Sequence, residues 1–391
     1  MSRQTAISVS KNNFIALIFG THLNANSIIR GLLTIGIDPE NICLVNEMGK
    51  PWFSARLLNS SIKTREFDFD DAAKLPQKLR ELFGIETIKV LFFTDERFLA
   101  ALSNARKRGE TPDIRFFAGS DRYMETILDR LKFYRFIEQK QLAPVPKTIP
   151  GDKNPFEILG DRVLIRPNVS WRSPRKRQGV SIVASDDELK KITDLYRKDG
   201  LDPEDWCYQE VFCTEVKHNL SVCGWYDVKE QHLFCTRKLL QHPKSCGNGD
   251  VNELMLNAPG SIVEQSYALL QTLEYKGPLE LEWVYDEKNG IYKIIELNPR
   301  FWMQHSLVGA ASKQYVIRKY MEVIDDFQIN QNINHSEVRY WVDPLYALFR
   351  LFKGDWLGIR YYFMKGAVSP ISLTQAIVYA PIHFLGKCSL K

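Results

Sequence analysis

Glu280 to Arg300 reads ELEWVYDEKNGIYKIIELNPR, and this stretch constrains the rest of the chain more than any other. Leu281, Trp283, Val284 and Tyr285 favour a strand, as do Ile291, Tyr292, Ile294 and Ile295, with the turn signal Asn289-Gly290 between them. The segment is expected to be a β-hairpin carrying three oxygen donors, Glu282, Glu296 and Asn298, with Arg300 just beyond. Register decides whether the acids can act together. A two-residue Asn289-Gly290 loop would pair Glu282 with Leu297 and separate the glutamates onto opposite faces. A three-residue Lys288-Asn289-Gly290 loop, with Gly290 left-handed, sets Glu282 across from Glu296, and Asn298 shares their face because side chains alternate. The second register is the one expected.

Two bare carboxylates facing each other across a strand pair repel, so the arrangement costs stability unless a cation sits between them. Hard oxygen ligands with an amide beside them suit Mg²⁺, which binds through one or two carboxylates plus substrate phosphates. Mn²⁺ is the alternative. The other reading is a surface hairpin whose acids are solvated, since exposed Glu is common.

The ending Glu296-Leu297-Asn298-Pro299-Arg300, with an acid fourteen residues before it, resembles the metal-binding end of the ATP-grasp superfamily. The wording is nearest to carbamoyl-phosphate synthetase large chains and to amino-acid ligases such as D-aspartate ligase. The resemblance runs in order over about residues 10–325. Asp129-Arg130-Leu131-Lys132-Phe133 looks like the family's segment before the ATP-binding region, which Pro144-Val145-Pro146-Lys147-Thr148 would open. Leu164-Ile165-Arg166-Pro167 looks like the strand with the second phosphate-binding cation. Gln209, Glu210, Val211 and Phe212 resemble the hinge whose backbone meets adenine, and Glu215 sits where the family holds the ribose.

The resemblance implies an α/β (α+β) protein of ATP-grasp fold behind a doubly wound N-terminal domain. It implies ATP and Mg²⁺, with Glu296 bridging two ions and Glu282 and Asn298 each adding a ligand. Arg130, Arg166 and Arg300 would neutralise phosphate, with Arg300 on the transferred phosphate or the substrate carboxylate; the alternative for Arg300 is an ion pair with a hairpin glutamate. Lys238 is a further cation placed to reach the nucleotide. One departure stands out. The loop after Arg166 is glycine-rich in the family, whereas here residues 168–179 hold only Gly179 together with Arg172, Arg175, Lys176 and Arg177. Arg can replace backbone amides as a phosphate donor through bidentate bonds. Equally, the loop can be a lid that meets an anionic second substrate, or a solvated loop.

At 391 residues the chain is too long for one core and fits two or three domains. The expected divisions are 1–120, 121–325 and 326–391. A 45% hydrophobic and 25% charged composition is that of an ordinary globular enzyme, and a net charge of +5 does not argue for nucleic acid. Seven cysteines without C-x-x-C spacing read as reduced thiols in the cytoplasm, and no secretory signal opens the chain.

Along the chain, residues 13–47 read as βαβ with a polar loop at Thr21–Asn26, and 122–142 as one amphipathic helix. Asp95 and Glu96 suit a helix N-cap. Residues 213–240 read as antiparallel strands that Arg237-Lys238 ends, Ser245 to Asn252 as a loop, 261–275 as a helix, and Gly309 to Tyr320 as continuing helix. The stretch 340–391 is dense in aromatic and basic residues but has no apolar run long enough to span a bilayer. It would pack back on the body, form a dimer surface, or lie on a membrane face, with the first favoured.

The resemblance, with these site residues, implies an ATP-dependent carboxylate–amine ligase acting on small molecules through an acyl phosphate. A small-molecule kinase of the same fold and a non-catalytic nucleotide-binding module are the alternatives.

Overall fold

The structure, a computed structural model, describes residues 15–20, 23–47, 59–67, 74–83, 90–111, 114–117, 119–170, 180–212, 215–242, 247–325 and 337–378. The chain forms two compact units, one from 1–117, 303–336 and 370–391, the other from 118–302 and 337–369.

In the first unit, β1 (Ala16–Phe19), β2 (Ile42–Glu47), β3 (Lys63–Phe67) and β4 (Val90–Phe93) form a parallel sheet in the order β3-β2-β1-β4. Strands β1 (ALIF) and β4 (VLFF) are buried at every position, as strands covered on both faces must be. The helices here are α1 (Leu23–Thr34), α2 (Leu75–Phe83) and α3 (Glu96–Lys107). Asp95 caps α3 by accepting from the Arg97 amide at 3.0 Å. The strand order reverses between β1 and β4. Their ends are tied there by Thr94, whose hydroxyl donates to the Phe19 carbonyl at 2.7 Å, and by the Asn24 amide donating to the Thr94 carbonyl at 3.3 Å. Thr21 and His22 lie outside the described residues.

The second unit opens with α4 (Met124–Leu128) and α5 (Arg130–Gln139) where one continuous helix was expected. The break is chemical. Asp129 adopts an extended conformation and its carboxylate accepts from the Lys132 amide at 3.0 Å, so it starts a new helix instead of continuing the old one. A four-stranded antiparallel sheet follows, built from β5 (Thr148–Pro150), β6 (Val163–Pro167), β7 (Ser181–Val183) and β8 (Trp206–Glu210) in the order β5-β8-β6-β7. Helices α6 (Pro155–Leu159) and α7 (Asp186–Lys198) connect its strands. Its core gathers Val163, Ile165, Tyr196, Trp206 and Tyr208.

The larger sheet contains β9 (Asn219–Asp227), β10 (Glu230–His242), β11 (Asn248–Leu254), β12 (Gly277–Asp286) and β13 (Ile291–Asn298), with α8 (Gly260–Thr272) between β11 and β12. Strand β10 runs past Arg237-Lys238 to His242, and most of the expected 245–252 loop is strand β11, because Asp250 and Asn252 are buried within the ladder. Leu279, Leu281, Trp283, Ile294 and Leu297 form one core with α5 and α8. The alternate residues of β12 and β13 are thereby turned to the other face.

Helices α9 (His305–Ala311) and α10 (Tyr315–Asp325) belong to the first unit. The expected continuous helix breaks between them at Lys313 and Gln314, both with positive φ (53° and 59°). The chain then returns as β14 (Tyr340–Val342), α11 (Pro344–Phe352), α12 (Leu357–Tyr362) and β15 (Ala367–Val368). These strands complete the large sheet in the order β13-β12-β9-β10-β11-β14-β15. Residues 340–369 of the aromatic tail thus pack back within the second unit, with Tyr340, Trp341 and Val342 buried, while 370–378 belong to the first.

Candidate active site

Glu282 stands directly across from Glu296, and Glu280 across from Asn298. The route to this register differs from the expected three-residue loop. The turn pairs Asp286 with Ile291, leaving four residues in the loop, and Gly290 takes the left-handed conformation at φ 67°. Continued unbroken, that pairing would place Glu282 opposite Ile295. A register shift between Glu282 and Trp283 takes Ile295 out of the ladder as a β-bulge and brings Glu296 round to its partner.

The bulge is held from outside. The Tyr134 hydroxyl on α5 donates to the Ile295 carbonyl at 2.5 Å, and the Ile294 amide donates to the Pro144 carbonyl at 3.0 Å. Tyr134 also accepts from the Gln209 amide at 3.2 Å, and that amide reaches the Thr148 hydroxyl at 3.2 Å. Tyr134→Phe should lower the unfolding free energy by about 1–3 kcal/mol, the cost of leaving a partly buried carbonyl unpaired. Urea denaturation measures it, and wild-type stability in the variant would show that the bulge needs no support from α5.

Charge gathers on the outward face of the hairpin. Arg130 is the first residue of α5 behind the Asp129 cap, and Arg166 lies near the end of β6. Both reach the same Glu296 oxygen, Oε2, at 3.1 Å and 2.9 Å. Arg130 also donates to the Pro167 carbonyl at 2.9 Å. On the neighbouring strand, Glu282 lines up with Ser221 and, one strand further, Thr236. Lys238, two residues along β10 from Thr236, therefore shares that face, and its Nζ lies 3.0 Å from Glu282 Oε2. Asn298 turns its amide nitrogen toward Glu282 (3.2 Å), Glu280 (3.3 Å) and Glu296 (3.5 Å), while its oxygen accepts from Arg300 at 3.3 Å. Burial works against the charged form of Glu296, but the guanidinium groups of Arg130 and Arg166 outweigh it and hold its carboxyl well below the usual carboxylate range. Burial likewise opposes the Lys238 charge, yet the Glu282 carboxylate raises the pKa of its ammonium group.

The repulsion anticipated between the glutamates is thus relieved by the chain's own cations. Among the described residues no group of three or more His, Cys, Asp or Glu is arranged to hold a metal ion. The donors present are nevertheless all oxygen: Glu282, Glu296 and Asn298 on one face. Glu296 Oε1 receives the Asn298 amide at the long distance of 3.5 Å. The Nε atoms of Arg130 and Arg166 are buried with no hydrogen-bond acceptor among the described residues. A hard divalent cation accompanied by an oxyanion fits both features, since it would occupy the spare carboxylate oxygen and supply the missing acceptors.

The remaining candidates lie further along. Gln209 is 3% exposed and turned into the interior. Glu210 accepts from Lys293 Nζ at 2.6 Å and from the Lys147 amide at 2.7 Å, and its own amide donates to the Lys147 carbonyl. Val211 and Phe212 follow β8, with the Phe212 ring 5.3 Å from Lys293 Nζ. Glu215 is exposed and paired with Lys217 at 2.6 Å. Residues 171–179, the basic part of the loop after Arg166, lie outside the described residues. Two members of the network escaped the sequence reading. Glu280 could have been found by alternation, two residues before Glu282. Lys293, bonded to Glu210 and to Asp286 (2.8 Å), had no signal, because nothing local says that β13 passes β8.

No protein-family model and no curated protein matches the sequence. Solved structures do match. A carboxyaminoimidazole ribonucleotide synthase from Aspergillus clavatus, complexed with ATP, aligns over 97% of this chain and 98% of its own, with a TM-score of 0.60 at 13% identity. An L-amino acid ligase from Bacillus licheniformis aligns over 85% of this chain and 79% of its own, with a TM-score of 0.59 at 13% identity. A biotin carboxylase from Campylobacter jejuni, complexed with βγ-ATP, aligns over 81% and 72%, with a TM-score of 0.57 at 14% identity. These neighbours are ATP-grasp enzymes, and the chain has the ATP-grasp fold.

Proposed function

We propose that this protein is an ATP-dependent carboxylate–amine ligase. The observation that carries the reading is the convergence of Arg130 and Arg166, each with a buried Nε that has no acceptor among the described residues, on one member of a facing glutamate pair. The fold supports it, since ATP-grasp neighbours include an amino acid ligase and a synthase complexed with ATP.

A carboxylate is a poor electrophile, so joining it to an amine in water requires activation. Transfer of the ATP γ-phosphoryl group to the carboxylate gives an acyl phosphate; the amine then attacks its carbonyl carbon, phosphate departs, and the amine proton is lost. Phosphoryl transfer is mainly positioning and charge neutralisation. Arg130 and Arg166 offer guanidinium donors on one side of the glutamate pair and Lys238 an ammonium on the other. Glu282, Glu296 and Asn298 would hold Mg²⁺, which when bound neutralises phosphate oxygens. Arg300, bonded to Asn298, would contact the phosphate or the substrate carboxylate. The 209–212 segment is assigned to adenine and Glu215 to the ribose by resemblance.

Thermal unfolding with and without Mg-ATP tests the nucleotide site. At about a hundred times its dissociation constant, ligand should add roughly 2.7 kcal/mol of stability. ADP release is then screened over carboxylate and amine pairs. A rise in unfolding temperature with ADP release dependent on both partners is the expected result. A stable phosphorylated product without an amine would identify a kinase, and no response to any nucleotide would overturn the reading.

A further inference from the structure

The C-terminal return presents a second feature at the other edge of the large sheet. Phe352, Trp356, Leu357, Phe363 and Met364 are all exposed, at 80%, 68%, 47%, 71% and 37%. Scattered single hydrophobics need no explanation, but five within thirteen residues form a patch. Trp356 (φ −82°, ψ −7°) and Phe363 (φ −92°, ψ 2°) flank α12 with near-helical backbones, so Trp356, Arg360 and Phe363 at i, i+4 and i+7 share one stripe. The opposite side of α12 is already used. Gly358 sits so close to α11 that an added Cβ would lie 2.9 Å from the Ala347 Cα, and the Tyr361 ring packs 5.4 Å from Tyr340.

The charge around the patch is predominantly positive. Lys353, Arg360 and Lys365 are exposed among the aromatics. The nearby acid, Asp355, is engaged by Arg350 at 2.8 Å and by the Leu357 amide at 3.0 Å. Glu337 comes no nearer to Lys365 than 3.7 Å, and both are almost fully solvated.

We propose that this aromatic–basic face docks the protein on an anionic lipid bilayer. Trp and Phe rings suit the headgroup boundary, and nearby Lys and Arg gain from anionic lipid. No helix among the described residues is long and apolar enough to cross a membrane, and the contact proposed is a peripheral one. Anionic lipid fits the patch better than a second copy does, because a two-fold interface through this stripe would bring Arg360 of both copies together among the aromatics. The patch borders β14, four strand positions from β12 and so about 19 Å away at ordinary strand spacing.

Flotation of the full chain with phosphatidylcholine vesicles, with and without phosphatidylserine, tests this. Binding should require phosphatidylserine and decline with salt. Arg360→Glu, and separately Trp356→Ser with Phe363→Ser, should weaken it about tenfold or more. The substituted positions are exposed, so thermal unfolding should be unchanged. Absence of binding to phosphatidylserine vesicles, or equal binding by the variants, overturns the proposal. So does a dimer in sedimentation velocity that the same substitutions abolish, which would assign the face to a second copy.

Discussion

Glu296→Gln should lower the unfolding free energy by about 3–5 kcal/mol, the usual cost of removing one partner from a buried ionic group. It should also reduce turnover by orders of magnitude. The stability loss follows from geometry: Arg130 and Arg166 both rest on Glu296 Oε2, and a neutral amide leaves two largely buried guanidinium groups facing each other without a counter-charge. Adding Arg166→Met to the variant removes one of those cations and should recover part of the stability. The double-mutant cycle measures the coupling. The pH dependence has a fixed sign. The Glu296 carboxyl is depressed below 4.5, so its stabilising contribution is complete above that value and is lost as pH falls through the lower folded value. The gap between wild type and variant should therefore be constant from neutral pH down to about 5 and narrow only in stronger acid. Denaturant titrations at several pH values measure this. A variant as stable as wild type would show that the carboxylate does not neutralise the arginines, and wild-type turnover would remove Glu296 from the site.

The hairpin shows how far the sequence could be read. Its strands, its Gly290 turn and the facing of Glu282 and Glu296 were legible, because apolar residues at Leu281, Trp283 and Ile294 must turn inward and alternation then sends the acids outward. The bulge at Ile295 was not legible, since it is fixed by Tyr134, which stands 161 residues away in the chain. The break at Asp129 could have been found, because an aspartate three residues before Lys132 is a capping signal that was passed over for the apolar period. The pairing of the glutamates with Arg130, Arg166 and Lys238 joins five separate elements, and no local pattern specifies which cation meets which acid. Only the resemblance suggested that Arg130 and Arg166 share a site. Their common carboxylate came from the structure.

Arg166→Met should cut turnover by about 10²–10³, the typical effect of removing one donor from a preorganised oxyanion site, and should shrink the thermal shift produced by Mg-ATP. The loss of stability should be smaller than for Glu296→Gln, since Arg130 remains on the carboxylate and the methionine fills much of the vacated space. This separation of effects is the point of the measurement. If Arg166 served only to neutralise Glu296, turnover would follow stability in both variants. If it contacts phosphate through its Nε, which has no acceptor among the described residues, turnover falls much further than stability. Arg166→Lys should not restore activity, because an ammonium cannot bridge Glu296 and a phosphate oxygen with the planar fork of a guanidinium. Arg162→Met, at an exposed position before β6, controls for loss of charge near the strand. Unchanged ADP release and an unchanged Mg-ATP shift in Arg166→Met would leave Arg166 as a structural partner of Glu296 and move the phosphate site elsewhere.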